Sequence, residues 1–234
     1  MRTIERGRRV GLLVPSSNTV MEPDLWAALP PGATLHTARM YLEDTTPEGE
    51  SRMLDEHALP AARDLATARP DLIVFGCTSA GALRGNHYDA ELCARISELS
   101  GVPTVSVIAA VRQAIVGHGA RRVGVVTPYV DALNRPIRES LEADGVEVAR
   151  IDGLGIADNF EIARVPAARI CDFAERTLHG LPIDLAFVSC TNFPAYSALP
   201  ELERRLGRPV VTSNQAAIAA VLALLDAAPA GRGG

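Results

Sequence analysis

Two cysteine–threonine pairs stand in matching contexts of this 234-residue chain. Cys77 lies in Gly-Cys-Thr-Ser and Cys190 in Ser-Cys-Thr-Asn, and each pair follows a short apolar run. A thiol ionises with a pKa of about 8.5 and serves as a nucleophile or as a proton donor and acceptor at carbon. Because amide N–H groups at a helix start lower that pKa, we expect both thiols to be reactive and to face solvent in a cleft.

The other two cysteines have no such context. Cys93 and Cys171 fall within helical patterns, where a cysteine is typically a small buried hydrophobic side chain. The chain contains no C-x-x-C pair, and four cysteines are too few for a disulfide scaffold at this length. We therefore expect four free thiols, of which Cys77 and Cys190 carry chemistry.

The contexts of Cys77 and Cys190 belong to a longer internal repeat. The two cysteines are 113 positions apart, and the same spacing separates Pro15 from Pro128. Each proline closes an apolar run that begins Val-Gly. The repeat predicts two similar halves, each with one cysteine–threonine pair just past a buried strand.

Short apolar runs alternate with helical patterns along the chain. The runs lack polar alternation, as is typical of parallel strands covered on both faces, and span 10–14, 71–75, 104–108, 123–126, 185–188 and 209–211. Helical patterns span 49–68, 88–99, 134–144, 166–178 and 199–206. The alternation predicts an α/β fold of two doubly wound, flavodoxin-like parallel-sheet lobes related by a pseudo-two-fold axis. Ligands bind at the carboxyl ends of such strands, so we expect the active site in the cleft between the lobes.

The first of these runs ends in the polar segment Val-Pro-Ser-Ser-Asn-Thr at 14–19. In the simpler interpretation this segment is a turn followed by a helix N-cap. In the other, Ser17, Asn18 and nearby backbone amides form an anion cradle. The repeat partner at 127–129 favours the cradle, because Tyr129 would reach the same cleft with a phenolic donor.

The absence of one residue type excludes several kinds of enzyme. All 23 basic residues are arginine, and a pyridoxal-phosphate Schiff base, a lysine-dependent aldolase and a Walker-type phosphate loop each need a lysine amine. The five histidines are scattered without metal-ligand spacing, and no strand is followed by G-x-G-x-x-G. We therefore expect neither metal nor other cofactor.

The net charge and the hydropathy of the chain narrow the classes of binding partner. A net charge of −5 and a pI near 5.6 disfavour nucleic acid, which requires a concentrated positive field. No apolar run is long enough to span a bilayer, and the first residues have no signal-peptide pattern. We expect a cytoplasmic protein that does not bind membranes.

Seven short motifs together resemble a known family. They are Val-Pro-Ser-Ser-Asn-Thr, Thr-Pro-Glu-Gly at 46–49, Gly-Cys-Thr-Ser, Thr-Pro-Tyr, Leu-Gly-Ile-Ala-Asp-Asn at 154–159, Ser-Cys-Thr-Asn and Val-Thr-Ser-Asn-Gln-Ala at 211–216. In order and spacing the chain resembles the aspartate/glutamate racemase superfamily over 10–225. The similar branch contains maleate cis-trans isomerases, arylmalonate decarboxylases and ectoine-utilisation racemase-like proteins.

The resemblance also implies a division of the chain. The apolar stretch 216–225 should pack back onto the first half. The first lobe would then comprise 1–112 plus 214–234, and the second lobe 113–213.

The resemblance further implies roles for individual residues. By similarity to maleate isomerases, Cys77 attacks the double bond and Cys190 handles the proton, while Asn18, Tyr129 and Asn159 hold the substrate carboxylates. By similarity to the decarboxylases, a Thr-Ser pair and the tyrosine stabilise a planar enediolate. The full set of candidate substrate-binding residues is Ser17, Asn18, Thr78, Ser79, Tyr129, Asn159, Thr191 and Asn192.

The sequence therefore favours a cofactor-independent isomerase that acts on a small carboxylic acid, foremost a maleate-type cis-trans isomerase. A racemase of an amino acid or an ectoine-derived acid stays open, because two thiols can also flank Cα. An arylmalonate-type decarboxylase is disfavoured, since those enzymes have glycine at the place of Cys77. A non-catalytic carboxylate-binding protein and assembly into a homo-oligomer also stay open.

Overall fold

The computed structural model describes residues 7–227, which form two parallel four-stranded sheets. The first sheet has the order β2-β1-β3-β4 and consists of β1 (Arg9–Pro15), β2 (Thr34–Met40), β3 (Leu72–Phe75) and β4 (Thr104–Ser106). The second has the order β6-β5-β7-β8 and consists of β5 (Arg122–Thr127), β6 (Glu147–Gly153), β7 (Leu185–Val188) and β8 (Val210–Thr212). The equivalent orders confirm the predicted α/β fold of two similar halves.

Helices connect successive parallel strands in both halves. The first half contains α1 (Met21–Ala28), α2 (Pro47–Arg52), a π-helical turn (Met53–His57), α3 (Ala58–Ala66), α4 (Thr78–Leu83), α5 (Gly85–Ser100) and α6 (Val107–Gly117). The rest of the chain contains α7 (Asp131–Glu142), α8 (Asn159–Ala163), α9 (Ala167–Leu178), α10 (Leu199–Leu206) and α11 (Ser213–Ala227). None of the helices within residues 7–227 is long and apolar enough to cross a membrane.

The inner strands β3 and β7 are buried along their whole length, as continuous apolar runs predict. The apolar runs do not predict the outer strands β2 and β6. Both lie at a sheet edge and mix polar with apolar residues, most of which are partly exposed. Their signal is therefore too weak for a strand assignment from hydropathy alone.

Two predicted elements differ from the structure, one at its end and the other in its interior. The run 104–108 is not strand throughout, because β4 ends at Ser106, whose hydroxyl accepts the N–H of Ala109 at 3.3 Å and starts α6. The pattern 49–68 is not one α-helix, because the π-helical turn separates α2 from α3. Such π-turns occur frequently beside functional sites.

The last helix, α11, follows β8 of the second sheet and packs against α6 and α1 of the first half. This packing agrees with the return of the chain expected for 216–225. We propose the lobes 1–112 plus 214–234 and 113–213 on that basis; the ends of the first lobe, 1–6 and 228–234, lie outside the described residues.

Candidate active site

Both cysteine–threonine pairs lie at the carboxyl end of a central strand. Cys77 follows β3 and caps α4, while Cys190 follows β7 in the second sheet. The two thiols line one cavity between the halves, at the place where open α/β sheets bind ligands. The other lining residues are Pro15, Asn18, Leu42, Thr45, Glu50, Ser79, Tyr129, Asn159, Thr191 and Asn192.

The structure brings eight of the ten predicted site residues to this cavity and leaves two behind its wall. The Thr78 hydroxyl donates to Ser213 Oγ at 2.9 Å instead. The Ser17 hydroxyl donates to the Leu42 carbonyl at 3.0 Å and accepts from Asn159 Nδ2 at 2.8 Å. Ser17 therefore holds Leu42 and Asn159, which line the cavity, whereas Thr78 holds Ser213, which is not among the lining residues.

The expectation that the thiols face solvent is wrong. Cys77 is 5% exposed and Cys190 is 6% exposed, because loops from both halves close over them. One such contact is the amide of Thr45, which donates to the Ala157 carbonyl at 2.7 Å. The cavity volume is about 10 Å³, room for about one water molecule, so a diacid must widen the site to enter.

Cys190 has a backbone conformation that side chains rarely adopt. Its φ is +101°, in the region that favours glycine. Such conformations cost on the order of 1–3 kcal/mol and persist where surrounding contacts fix them. Here the Cys190 amide donates to Ser213 Oγ at 3.0 Å, and the Asn192 amide donates to Cys190 Sγ at 3.3 Å. Strain held in this way is typical of functional positions.

Burial raises the pKa of both thiols, so the lowering expected from the sequence is wrong. The pKa of Cys190 rises to about 12, although the Tyr129 hydroxyl and the Asn192 amide donate to its sulfur. The pKa of Cys77 rises well above its ordinary range, first through burial and then through the nearby Glu50 carboxylate. Amide donors do not offset the loss of water in this closed cavity. Both thiols are protonated there, so a nucleophilic step needs a proton acceptor.

Side-chain hydrogen bonds join the two halves around the cavity. Asn18 Nδ2 donates to Thr191 Oγ1 at 3.1 Å, and Thr191 Oγ1 donates to the Gly76 carbonyl at 3.0 Å. Within the second half, Asn192 Nδ2 donates to the Asn159 carbonyl at 2.6 Å. In the closed site these polar groups bond to one another, so an entering carboxylate must replace some of these bonds.

Glu50 is a cavity residue that the sequence patterns do not predict. It lies on α2 and is fully buried. Its Oε1 accepts a hydrogen bond from the Ser79 hydroxyl, whereas its Oε2 has no partner among the described residues. Burial raises the pKa of Glu50 to about 8, and the bond from Ser79 only partly offsets that rise. The site therefore contains a third acid–base group beside the two thiols.

A sequence signal for Glu50 lies directly before it, in Thr-Pro-Glu-Gly at 46–49. Thr46 Oγ1 accepts the Gly49 amide at 3.1 Å and starts α2. A Cβ on Gly49 would lie 2.3 Å from the Asp44 carbonyl, so glycine allows the helix to approach the preceding loop. A glutamate in a first helical turn is usually a solvated residue that favours the helix dipole, so the pattern alone does not single out Glu50.

The charge of the site is unusual for a site that would bind a diacid. The lining residues in the described part of the chain supply amide and hydroxyl donors but no cation. Within residues 7–227, no group of three or more His, Cys, Asp or Glu side chains is arranged to hold a metal ion. The arrangement can present two thiols to one small molecule and hold its carboxylates by hydrogen bonds.

Comparisons with known proteins agree with this geometry. The sequence model of the arylmalonate decarboxylase family matches residues 10–234. The maleate isomerase of Nocardia farcinica is 30% identical over 229 residues, which cover 94% of this chain and 90% of that protein. The arylmalonate decarboxylase of Bordetella bronchiseptica is 30% identical over 208 residues, which cover 88% and 86% of the two chains.

A solved structure of one such relative has the same two-lobe fold. It is a cysteine-to-serine mutant of Nocardia farcinica maleate cis-trans isomerase with a covalently bound succinylcysteine intermediate. The TM-score is 0.83 at 26% identity, and the match covers 94% of this chain and 93% of that one. The fold and its connectivity are therefore shared over nearly the whole length.

Proposed function

The chain belongs to the arylmalonate decarboxylase family, and we propose that it is a cofactor-independent isomerase that converts a maleate-type cis diacid into its trans isomer. The observation that carries the proposal is the pair of thiols, Cys77 and Cys190, that lines one cavity at the ends of equivalent strands. The succinylcysteine intermediate of the Nocardia farcinica relative supports a cysteine nucleophile.

In the proposed reaction Cys77 is the nucleophile. Its thiolate forms a C–S bond to one alkene carbon, and the π electron pair moves to the other carbon, which takes the proton of the Cys190 thiol. Rotation about the new single bond exchanges cis for trans. The Cys190 thiolate then removes the proton, and the C–S bond breaks as the double bond forms again. No electron or proton is consumed overall.

Hydrogen-bond donors stabilise the negative charge between these steps. The carbanion beside a carboxylate has enediolate character, so its charge lies on the carboxylate oxygens. We assign Tyr129, Asn18 and Asn159 to these oxygens, because all three line the cavity. Ser79 lies beside Cys77, with Oγ and Sγ 3.9 Å apart, and its hydroxyl donates to Glu50 in the closed site.

Neither a racemase nor a decarboxylase has a comparable specific observation in its favour. A decarboxylase needs one thiol, and the site has two. A racemase would use both thiols at Cα, but the solved relative with a covalent cysteine adduct is an isomerase. The partner we propose is a small carboxylic acid and neither nucleic acid nor membrane, and we propose the cytoplasm as its location.

Proton NMR in heavy water tests the proposal with maleate, aspartate and an aryl malonate. We expect maleate to be converted to fumarate. Loss of the α-proton of aspartate without isomerisation of maleate would overturn the proposal in favour of a racemase. Carbon dioxide loss from the aryl malonate alone would overturn it in favour of a decarboxylase.

A further inference from the structure

A chain of polar groups leads from the nucleophilic thiol to a buried carboxyl group. Cys77 Sγ lies 3.9 Å from Ser79 Oγ, and the Ser79 hydroxyl donates to Glu50 Oε1. All three side chains line the cavity and are buried. Among residues 7–227, the second oxygen of Glu50 is buried without a hydrogen-bond partner, and no arginine or histidine lines the cavity to neutralise the carboxylate.

We infer that Glu50 is the proton acceptor for the Cys77 thiol and acts on it through the Ser79 hydroxyl. The proton of Cys77 Sγ passes to Ser79 Oγ while the proton of Ser79 Oγ passes to Glu50 Oε1. The hydroxyl is restored, Cys77 becomes a thiolate and Glu50 becomes a neutral acid. When the C–S bond breaks at the end of the reaction, the same two transfers run in reverse.

This transfer supplies the thiolate that the reaction needs. A protonated thiol is a poor nucleophile, and burial without a base keeps Cys77 protonated. Moving one proton from Cys77 to Glu50 creates the nucleophile and leaves a neutral acid on the opposite side of Ser79, without any change in net charge.

Few other titratable groups face Glu50. Cys77 lies at the start of α4, and Cys190 and Tyr129 come from the second half; the charge of Glu50 raises the pKa of each of these three groups. On the outer side of the same region, Asp55 of the π-helical turn pairs with Arg84 at 2.6 Å and is exposed. Proton exchange with Glu50 therefore concerns Cys77 first, because Ser79 lies between those two groups.

Two roles for Glu50 predict opposite effects on Cys77. If Glu50 were only a neighbouring negative charge, Glu50→Gln would remove a repulsion, lower the pKa of Cys77 and make the thiol more reactive. If Glu50 is the proton acceptor, the same substitution removes the base and makes the thiol less reactive. The sign of the change decides between the two roles.

The test measures alkylation of each cysteine by iodoacetamide, followed by peptide mass spectrometry. The ratio of the Cys77 rate to the Cys190 rate cancels differences in how often the closed cavity opens. We expect Glu50→Gln to lower this ratio by on the order of 10²-fold, and Ser79→Ala to lower it as well. In the unmodified protein the ratio should rise with pH through the pKa of Glu50, about 8, and in Glu50→Gln it should not.

The matched control is Glu48→Gln, which removes an exposed carboxylate from the same helix and should leave the ratio unchanged. An unchanged or higher ratio in a folded Glu50→Gln protein would overturn the inference. The inference rests on the proposed function, because that function identifies the substrate atom that Cys77 attacks. The alkylation test itself needs no maleate. If Glu50→Gln lowers the ratio but the unmodified protein does not isomerise maleate, the proposed function is refuted and the proton transfer stands.

Discussion

The Ser213 hydroxyl accepts the backbone N–H of Cys190 at 3.0 Å and holds that residue at a φ of +101°. The same oxygen accepts the Thr78 hydroxyl at 2.9 Å, and Thr78 directly follows Cys77. One side chain at the start of α11 therefore connects the backbone positions of the two thiols. This contact links the returning last helix to the geometry of the cavity.

We expect Ser213→Ala to impair catalysis as well as stability. It leaves the buried Cys190 amide without an acceptor, which costs about 1–3 kcal/mol, and it frees a strained residue to relax. Urea unfolding measures the first effect and the turnover number for maleate the second. The matched control is Ser189→Ala, because the buried Ser189 hydroxyl has no hydrogen-bond partner within residues 7–227. Full turnover in Ser213→Ala would show that the strain at Cys190 has no part in the reaction.

Replacing either Cys77 or Cys190 by alanine should abolish isomerisation. In the proposed reaction each thiol has a distinct role, so neither replaces the other. Because both are buried, a stability loss of about 1 kcal/mol should accompany the loss of activity. The controls are Cys93→Ala and Cys171→Ala, which remove buried thiols away from the cavity and should lower stability alone. Normal turnover in either Cys77→Ala or Cys190→Ala would refute the two-thiol mechanism.

The position of the candidate site can be predicted from the sequence, because ligands bind at the carboxyl ends of parallel strands. Cys77 and Cys190 each come two residues after a continuous apolar run, and parallel strands bring their carboxyl ends to one edge of each sheet. The repeat spacing then predicts that the two ends correspond. The strand β2, by contrast, has no continuous apolar run, since an edge position leaves most of its residues half exposed.

The protonation states of the site could not be predicted in the same way. A cysteine before a helix suggests a lowered pKa, but the closure of the loops over Cys77 removes the water that a thiolate needs. That closure depends on long-range contacts such as Asn18 with Thr191, which leave no local pattern. Glu50 cannot be identified as a site residue from the sequence for the same reason. Its burial results from tertiary packing, whereas its local sequence is that of an ordinary helix start.

Tyr129→Phe should reduce turnover by on the order of 10²-fold, with a much smaller change in KM. The phenolic hydroxyl donates to Cys190 and, in the proposed reaction, to the enediolate oxygens, so its loss weakens the proton donor and the oxyanion contact together. Steady-state kinetics with maleate separates the two constants. A raised KM at full turnover would instead make Tyr129 a ground-state clamp for the carboxylate.

Glu50 should make the protein less stable as the pH rises. Its pKa in the folded protein is about 8, above the ordinary value of 4.5, so folding favours the protonated form. The contribution of Glu50 to stability is therefore complete below pH 4.5 and is lost as the pH rises through 8, by on the order of several kcal/mol. Urea unfolding across this range should show a steeper decline for the unmodified protein than for Glu50→Gln, which cannot ionise. Glu48→Gln, which alters an exposed residue, should follow the unmodified protein. Parallel curves for the unmodified protein and Glu50→Gln would mean that folding does not raise the pKa of Glu50, and Glu50 would then be too weak a base to accept the proton of Cys77.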